Sequence, residues 1–432
     1  MPRRLARAPR TAGTADRLAL AAAAALLEPV AWAVLDRAAT AVRTRRKARS
    51  RRSTAAPEPG RGDQLLVPAV CDWSRALLLV PAYREAAVLP RLRAELLAQG
   101  VPLDRVLVLV EQDEATRRAA AELGLPVRWS PRRVGKGAAV EEAVARAPQV
   151  RWFVTVDANV RLAPGSLTRV LTTLQTGALD VCSGVKSEDA RAEGAYWRFA
   201  NPAPAGPRRS LAVVGELLGF DRDHLHPLPG VAVNEDQWLA LSAAAAGGRV
   251  GVDPRARTTE ESASPRQQFG RRRRIVANTY RLVAHRPGVI AGLPARDAAV
   301  YAMTKLWRVA AQPALGVALV ALAAGPGRGR RTRLLAAGQL AGSALYLAEV
   351  ARDRRLPLPV SVLGQAVGMA PVVCAAAAVD AVRGRGSAAW DKPDRAAVAA
   401  VAAVAVAPVE PPVDLRVART TSADVAPLEV AG

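Results

Sequence analysis

Aromatic residues are scarce in this chain: Phe, Trp and Tyr together make up 4% of its 432 residues. Proteins that hold single-stranded nucleic acid stack successive bases on aromatic faces, so this composition speaks against that class. Cysteine and histidine are equally thin, with three of each. Cys71, Cys182 and Cys374 lie far apart and form neither a disulfide framework nor a zinc-ligand spacing with the histidines. Lysine is nearly absent too, being found only at Lys47, Lys136, Lys186, Lys305 and Lys392. The formal net charge of +23 therefore comes almost wholly from arginine. In a chain also rich in alanine this is the mark of genomic composition bias rather than of a phosphate-reading surface. No nucleic-acid partner is expected.

What is present is apolar sequence in long runs. Leu18 to Leu35 is about long enough to cross a bilayer, which takes roughly 20 residues, although Glu28 and Pro29 interrupt it. The basic run Arg43 to Arg52 follows, of the kind retained on the cytoplasmic side. Near the other end Val309 to Gly325, Leu334 to Ala348 and Leu356 to Val379 carry no charge, and their Ala and Gly content suits close helix packing in lipid. The expected organisation is a membrane helix and basic linker over 1–69, a catalytic domain over 70–300, membrane helices over 301–382 and a cytoplasmic or disordered tail over 383–432.

Within 70–300 short apolar runs alternate with helical stretches. Ala76 to Val80, Val106 to Val110, Pro126 to Trp129 and Trp152 to Val156 read as strands, and the continuous apolar character of the first two is that of strands buried on both faces. Strands alternating with helices predict a mainly parallel, three-layer α/β/α sheet. Ligands of such sheets sit beyond the carboxyl ends of the strands. Tyr83, Glu85, Glu111, Asp113 and Asp157 all fall at or just after those ends.

Several short motifs carry chemistry. Asp157-Ala-Asn159 sets a carboxylate and an amide oxygen two residues apart at a strand end, where they either close an Asx-turn or hold a hard divalent cation together with a substrate diphosphate. Gly135-Lys-Gly137 opens a helix with free N–H groups, a positive dipole end and a mobile cation, all suited to a diphosphate. Its spacing is not that of a P-loop. Glu235 and Asp236 follow Gly230-Val-Ala-Val and precede an apolar helical run. Capping explains one acid at a helix start, and the second is a candidate general base for transfer to a hydroxyl. Gln267 to Arg274 is a dense cationic cluster, either an anchor to anionic lipid or a clamp on a phosphate-bearing substrate.

In this order and spacing the pieces resemble the processive-type family 2 glycosyltransferases, membrane enzymes with a GT-A catalytic domain such as the cellulose, hyaluronan and exopolysaccharide synthases. Pro81-Ala-Tyr83-Arg-Glu85 looks like the family's P-x-Y-N-E opening, and Asp113 falls near its second acidic position. The usual D-G-S-x-D-x-T is here reduced to Glu111-Gln-Asp113-Glu-Ala-Thr116. Arg133 to Ala139 is similar to G-K-G-x-A, and Asp157-Ala-Asn159 to D-x-D. Glu193 to Phe199 looks like E-x-x-Y-W-x-[YF], Asn234-Glu235-Asp236 matches the E-D motif, and Gln268 to Arg272 resembles Q-x-x-R-W with Arg272 where the family prefers Trp. Lys305 to Arg308 and Ala389 to Arg395 look like the membrane-proximal and terminal segments of one bacterial branch.

The resemblance implies a GT-A, Rossmann-like mixed sheet flanked by transmembrane helices. It also implies roles. Pro81, Tyr83, Glu85, Asp113, Lys136 and Asp157 would bind the nucleotide sugar, Asp157 and Asn159 would hold Mg2+ or Mn2+, and Gln268, Arg271 and Arg272 would face acceptor and diphosphate. Asp236, with Glu235 beside it, would be the base of an inverting transfer from a nucleotide-diphosphate sugar, UDP-linked by the family pattern, to a lipid-linked or polysaccharide hydroxyl. The implied place is the bacterial inner membrane, multi-pass, with the catalytic domain cytoplasmic. Single addition onto a lipid carrier, nucleotidyl transfer and a catalytically inactive membrane scaffold remain open alternatives.

Overall fold

The structure is a computed structural model that describes residues 71–188, 206–260, 263–324 and 329–384. The apolar stretch at 18–35, the 193–199 segment and the 389–395 segment lie outside the described residues.

The described strands are β1 (Ala76–Ala82), β2 (Val106–Glu111), β3 (Val127–Ser130), β4 (Trp152–Val156), β5 (Arg161–Leu162), β6 (Val181–Glu188), β7 (Arg208–Arg209), β8 (Leu217–Asp221) and β9 (Val250–Glu260). The helices of the same region are α1 (Leu89–Ala98), α2 (Glu114–Glu122), α3 (Lys136–Ala145), α4 (Ser166–Gln175), α5 (Glu235–Ala245) and α6 (Pro265–His285). The four strands expected from the sequence stand where their apolar runs placed them. Leu78 and Val80 of β1 enter one core with Leu89, Leu92 and Leu171, while Leu79 enters the other with Phe153, Phe220 and Leu241. Two faces, each covered by helices, are why these strands read as unbroken apolar runs.

The strand order is β3-β2-β1-β4-β8-β6-β9-β5, with β7 on β9. Strands β3, β2, β1 and β4 are parallel. Beyond them the sheet turns mixed, as the resemblance implies and the strand–helix alternation alone does not: β8 runs antiparallel to both β4 and β6, β6 and β9 are parallel, and β5 and β7 run antiparallel to β9. The sheet is therefore mixed, and residues 215–216, just before the antiparallel β8, lie at the carboxyl end of β4.

After α6 come α7 (Pro287–Ala291), α8 (Ala295–Tyr301), a π-helical stretch Ala302–Ala311, α9 (Gln312–Ala324), α10 (Arg330–Arg352), α11 (Leu358–Leu363), a second π-helical stretch Gly364–Gly368, and α12 (Met369–Val382). Arg330–Arg352 and Pro359–Val382 are long and apolar enough to cross a membrane, with mean hydropathy of 1.3 and 1.9. The two touch backbone to backbone, since a Cβ on Gly368 would lie 2.1 Å from the Gly342 carbonyl oxygen. Small residues permit that approach. Phe153 and Phe220, paired across β4 and β8, stack with centroids 5.7 Å apart in the core beneath the site. Phe153→Ala should cost about 3–5 kcal/mol of stability, read as a lowered denaturation midpoint of the purified protein.

Candidate active site

The site is built where β4 ends. Asp157 follows Val156 and donates its backbone N–H to the Glu216 carbonyl at 3.1 Å, which fixes the strand end against the start of β8. Lys136 opens α3, and its Nζ donates to Asp157 Oδ1 at 2.7 Å and to the Gly215 carbonyl at 2.8 Å, with Glu235 Oε1 at 3.9 Å. Burial works against the ammonium charge, but Asp157 and then Glu235 outweigh it and hold Lys136 above its ordinary value. Asp236 packs on the bare backbone of Gly215, where an added Cβ would meet Asp236 Cβ at 3.2 Å and Oδ2 at 3.3 Å. Burial pushes the Glu235 carboxyl up, opposed by Lys136 and reinforced by the charge of Asp236. Two acids in the first turn of α5 meet the positive end of its dipole. Thus Lys136, Asp157, Glu235 and Asp236, drawn from three separate stretches of sequence, converge.

Beside them lies a buried charge network that the sequence reading did not single out. Lys186 on β6 sits 2.8 Å from Glu216 Oε1 and 2.5 Å from Glu260 Oε2. Arg271 on α6 reaches the same two acids, at 2.8 Å and 2.6 Å. Its two carboxylate partners outweigh burial and push Arg271 up, while Arg271 and Lys186 outweigh burial at Glu260 and hold it well below the carboxylate range. Asn159 joins through its Nδ2, which donates to Glu260 Oε1 at 2.9 Å. Arg274, one turn beyond Arg271, lies close enough to Glu235, Asp236 and Asp157 to feel their charge, although burial lowers it overall. Gln268 is buried on the same helix, whereas Arg272 contacts Met369 of α12.

The ends of β1 and β2 form a second cluster. Tyr83 lies beneath the guanidinium of Arg133, 4.0 Å from the ring centroid, with Arg84 at 5.3 Å. Asp113 Oδ2 accepts from the Arg84 N–H at 2.8 Å and from the Thr116 hydroxyl, and Thr116 Oγ1 accepts from the Glu85 N–H at 2.9 Å. Pro81 pairs in register with Leu109. Arg84 and Gln112 are left-handed without being glycine, at φ +56° and +51°. Strain of that kind collects where a backbone must meet a ligand. Glu111 Oε2 accepts from the Gly135 N–H at 3.3 Å, tying β2 to the loop before Lys136, and burial pushes this carboxyl up.

An apolar cavity of about 40 Å³ lies under Lys136, Glu235 and Asp236, walled by Leu218, Phe220 and Leu228 among others. Among the described residues no three His, Cys, Asp or Glu side chains converge as a metal cage. The donor set still fits a hard cation that draws most ligands from a diphosphate and water. Asp157 offers a carboxylate, and Asn159 Oδ1 is buried without a partner while its Nδ2 is engaged.

The sheet is parallel on one side and mixed on the other, with an acid at the end of β4 and a carboxylate pair at a facing helix start. Residues 78–216 match the family model described as glycosyl transferase family 2. The match covers this region, about a third of the chain, and the fold around it is of the GT-A type. In fold it is similar to a mannosyltransferase from Pyrobaculum calidifontis solved with GDP-Man and Mn2+, at 20% identity and TM-score 0.56, over 88% of this chain and 100% of that one. Weaker likenesses are to S. aureus TarS with UDP-GlcNAc (14% identity, TM-score 0.36, 65% of this chain and 89% of that one) and to Mycobacterium tuberculosis glucosyl-3-phosphoglycerate synthase (16%, 0.38, 56% and 87%). No curated protein matches by sequence.

Two outcomes test this geometry. Gly215→Ala should displace Asp236 by a few tenths of an ångström and slow turnover about tenfold, with the melting temperature little changed. Glu111 binds its proton more tightly folded than unfolded, so stability falls as pH rises from the ordinary carboxylate range through its folded pKa. Glu111→Gln, which removes that charge, should flatten this dependence in melting curves taken from pH 4 to 8.

Proposed function

We propose that the protein is a membrane-bound, inverting transferase that moves a sugar from a nucleoside-diphosphate sugar to a hydroxyl of a lipid-linked or polysaccharide acceptor, at the cytoplasmic face of a bacterial inner membrane. The observation that carries this reading is the placement of Lys136 between Asp157 and the Glu235–Asp236 pair, with Asp236 seated on Gly215. It sets a cation for the departing diphosphate next to a candidate base. Two C-terminal helices of bilayer-crossing length, following directly on the catalytic domain, support the membrane location.

In the proposed reaction the acceptor oxygen attacks the anomeric carbon as the bond from that carbon to the diphosphate oxygen breaks. The bonding pair leaves with the diphosphate, and the acceptor proton passes to Asp236. Lys136 stands where it meets charge developing on the leaving group, and Arg274 adds a second positive charge nearby. A Mg2+ or Mn2+ ion held by Asp157 and Asn159 would supply further neutralisation of the diphosphate. Inversion follows from the single displacement. Tyr83, Glu85 and Asp113 would receive the nucleoside, with Pro81 shaping the turn. Gln268 would stand on the acceptor side, as would Arg271 and Arg272, which in this structure hold acids and Met369 respectively.

UDP-linked sugars are the donors the motif pattern favours. GDP-mannose is the second reading, supported by the altered Glu111 to Thr116 segment and by the fold likeness to a mannosyltransferase solved with that donor. Asp236→Asn should reduce transfer by about 10²–10⁴-fold while calorimetry with Mn2+ finds nucleotide-sugar affinity unchanged. Undiminished turnover in that variant would instead favour nucleotidyl transfer.

A further inference from the structure

Asn234 stands at the N-cap of α5, the position at which an Asn side chain ordinarily accepts from the helix's own free N–H groups. Here it makes no such bond. Its Nδ2 donates to Gln237 Oε1 and to the Ile275 carbonyl, both at 3.0 Å, and its Oδ1 accepts from Asn278 Nδ2 at 3.4 Å. The Thr279 hydroxyl reaches Gln237 Oε1 at 3.1 Å. Asn234, Gln237, Asn278 and Thr279 are all buried, the last two completely. The network continues outward, since Arg281 donates to Asn278 Oδ1 at 2.9 Å and to the Asp380 carbonyl at 3.2 Å, and Arg273 pairs with the Asp380 carboxylate.

Buried amides in a packed core are costly unless satisfied, and satisfied they fix one geometry. None of these groups touches the reacting atoms in the mechanism above. What they fix is the backbone immediately before Glu235 and Asp236, and they fix it to α6. We propose that Asn234 is a positioning residue: by docking the start of α5 on α6 it sets the direction of the Asp236 carboxylate. Because α6 is held in turn by Asp380 of α12, the alignment of the base depends on the C-terminal apolar helices. This inference rests on the reading of Asp236 as the base.

The test compares Asn234→Ala and Asn234→Asp, the latter keeping the shape but losing both Nδ2 donors, in the full chain. Nucleoside diphosphate released from UDP-glucose, UDP-N-acetylglucosamine or GDP-mannose with Mn2+ gives turnover, with water standing in for the acceptor, and calorimetry gives donor affinity. The expected result is a fall in kcat on the order of 10²-fold with donor KM and affinity held within about threefold. Asn278→Ala, which leaves the Asn234 side chain intact and removes its Oδ1 contact together with the acceptor of Arg281, should show the same split to a smaller degree and covers the case in which the Asn234 variants fail to fold. Unimpaired kcat, or kcat and donor affinity falling together as in a general loss of structure, overturns the proposal. Asp236→Asn separates the failures: if it is inactive and the Asn234 variants are not, only the positioning role falls, whereas if it retains full turnover the assignment of the base falls first.

Discussion

Four charges buried together, Lys186, Glu216, Glu260 and Arg271, hold helix α6 on the sheet. Two cations face two acids, so the group is neutral as a whole, and each acid is shared by both cations. A buried network of this kind is tolerable only when complete. Removing one member leaves a charge unpaired at a cost of about 3–5 kcal/mol. Its position makes it more than a fastening. Glu260 orients Asn159, the Glu216 carbonyl receives the N–H of Asp157, and Gly215, the next residue back, carries Lys136 and gives room to Asp236. Asp157 is thus tied to the network through the Glu216 backbone, and Lys136 and Asp236 meet the residue beside it.

The arrangement also explains why a mixed sheet suits this chemistry. Parallel strands alone would bring only helix starts and strand ends to the site. The antiparallel return of β8 adds the Gly215–Glu216 backbone between Lys136 and Asp157, and the long β9 carries Glu260 into the same space. On the far side α6 is tied to the C-terminal helices by Arg273 and Arg281 to Asp380, and by Arg266 to Asp353. Catalytic domain and apolar helices thereby share one interface helix.

Much of this was legible in the sequence because the signals were local. The runs ALLLV and VLVLV declare strands buried on both faces, and acids just beyond such strands declare the ligand end of the sheet. The charge network was not legible. Glu216 sits in an otherwise apolar stretch and Glu260 ends a long strand, and nothing in their spacing reveals that strand order β8-β6-β9 sets them side by side. The Arg271 to Arg274 run had the same difficulty. Four consecutive arginines on a helix point in four directions, and here they meet Glu216 and Glu260, Met369, Asp380 and the charge of Glu235 and Asp236 in turn. Asn234 entered the sequence reading only as the first residue of the Asn234-Glu235-Asp236 motif, and its side chain serves α6 instead of capping its own helix.

The central claim is that one displacement at the Lys136–Asp157–Asp236 cluster transfers a sugar. The anomeric configuration of the product reports on it most directly. Proton NMR of the glycoside or free sugar first formed from an α-linked nucleotide sugar by the purified protein should show the β anomer. An α product would require a second displacement or a different face of attack and would contradict the account.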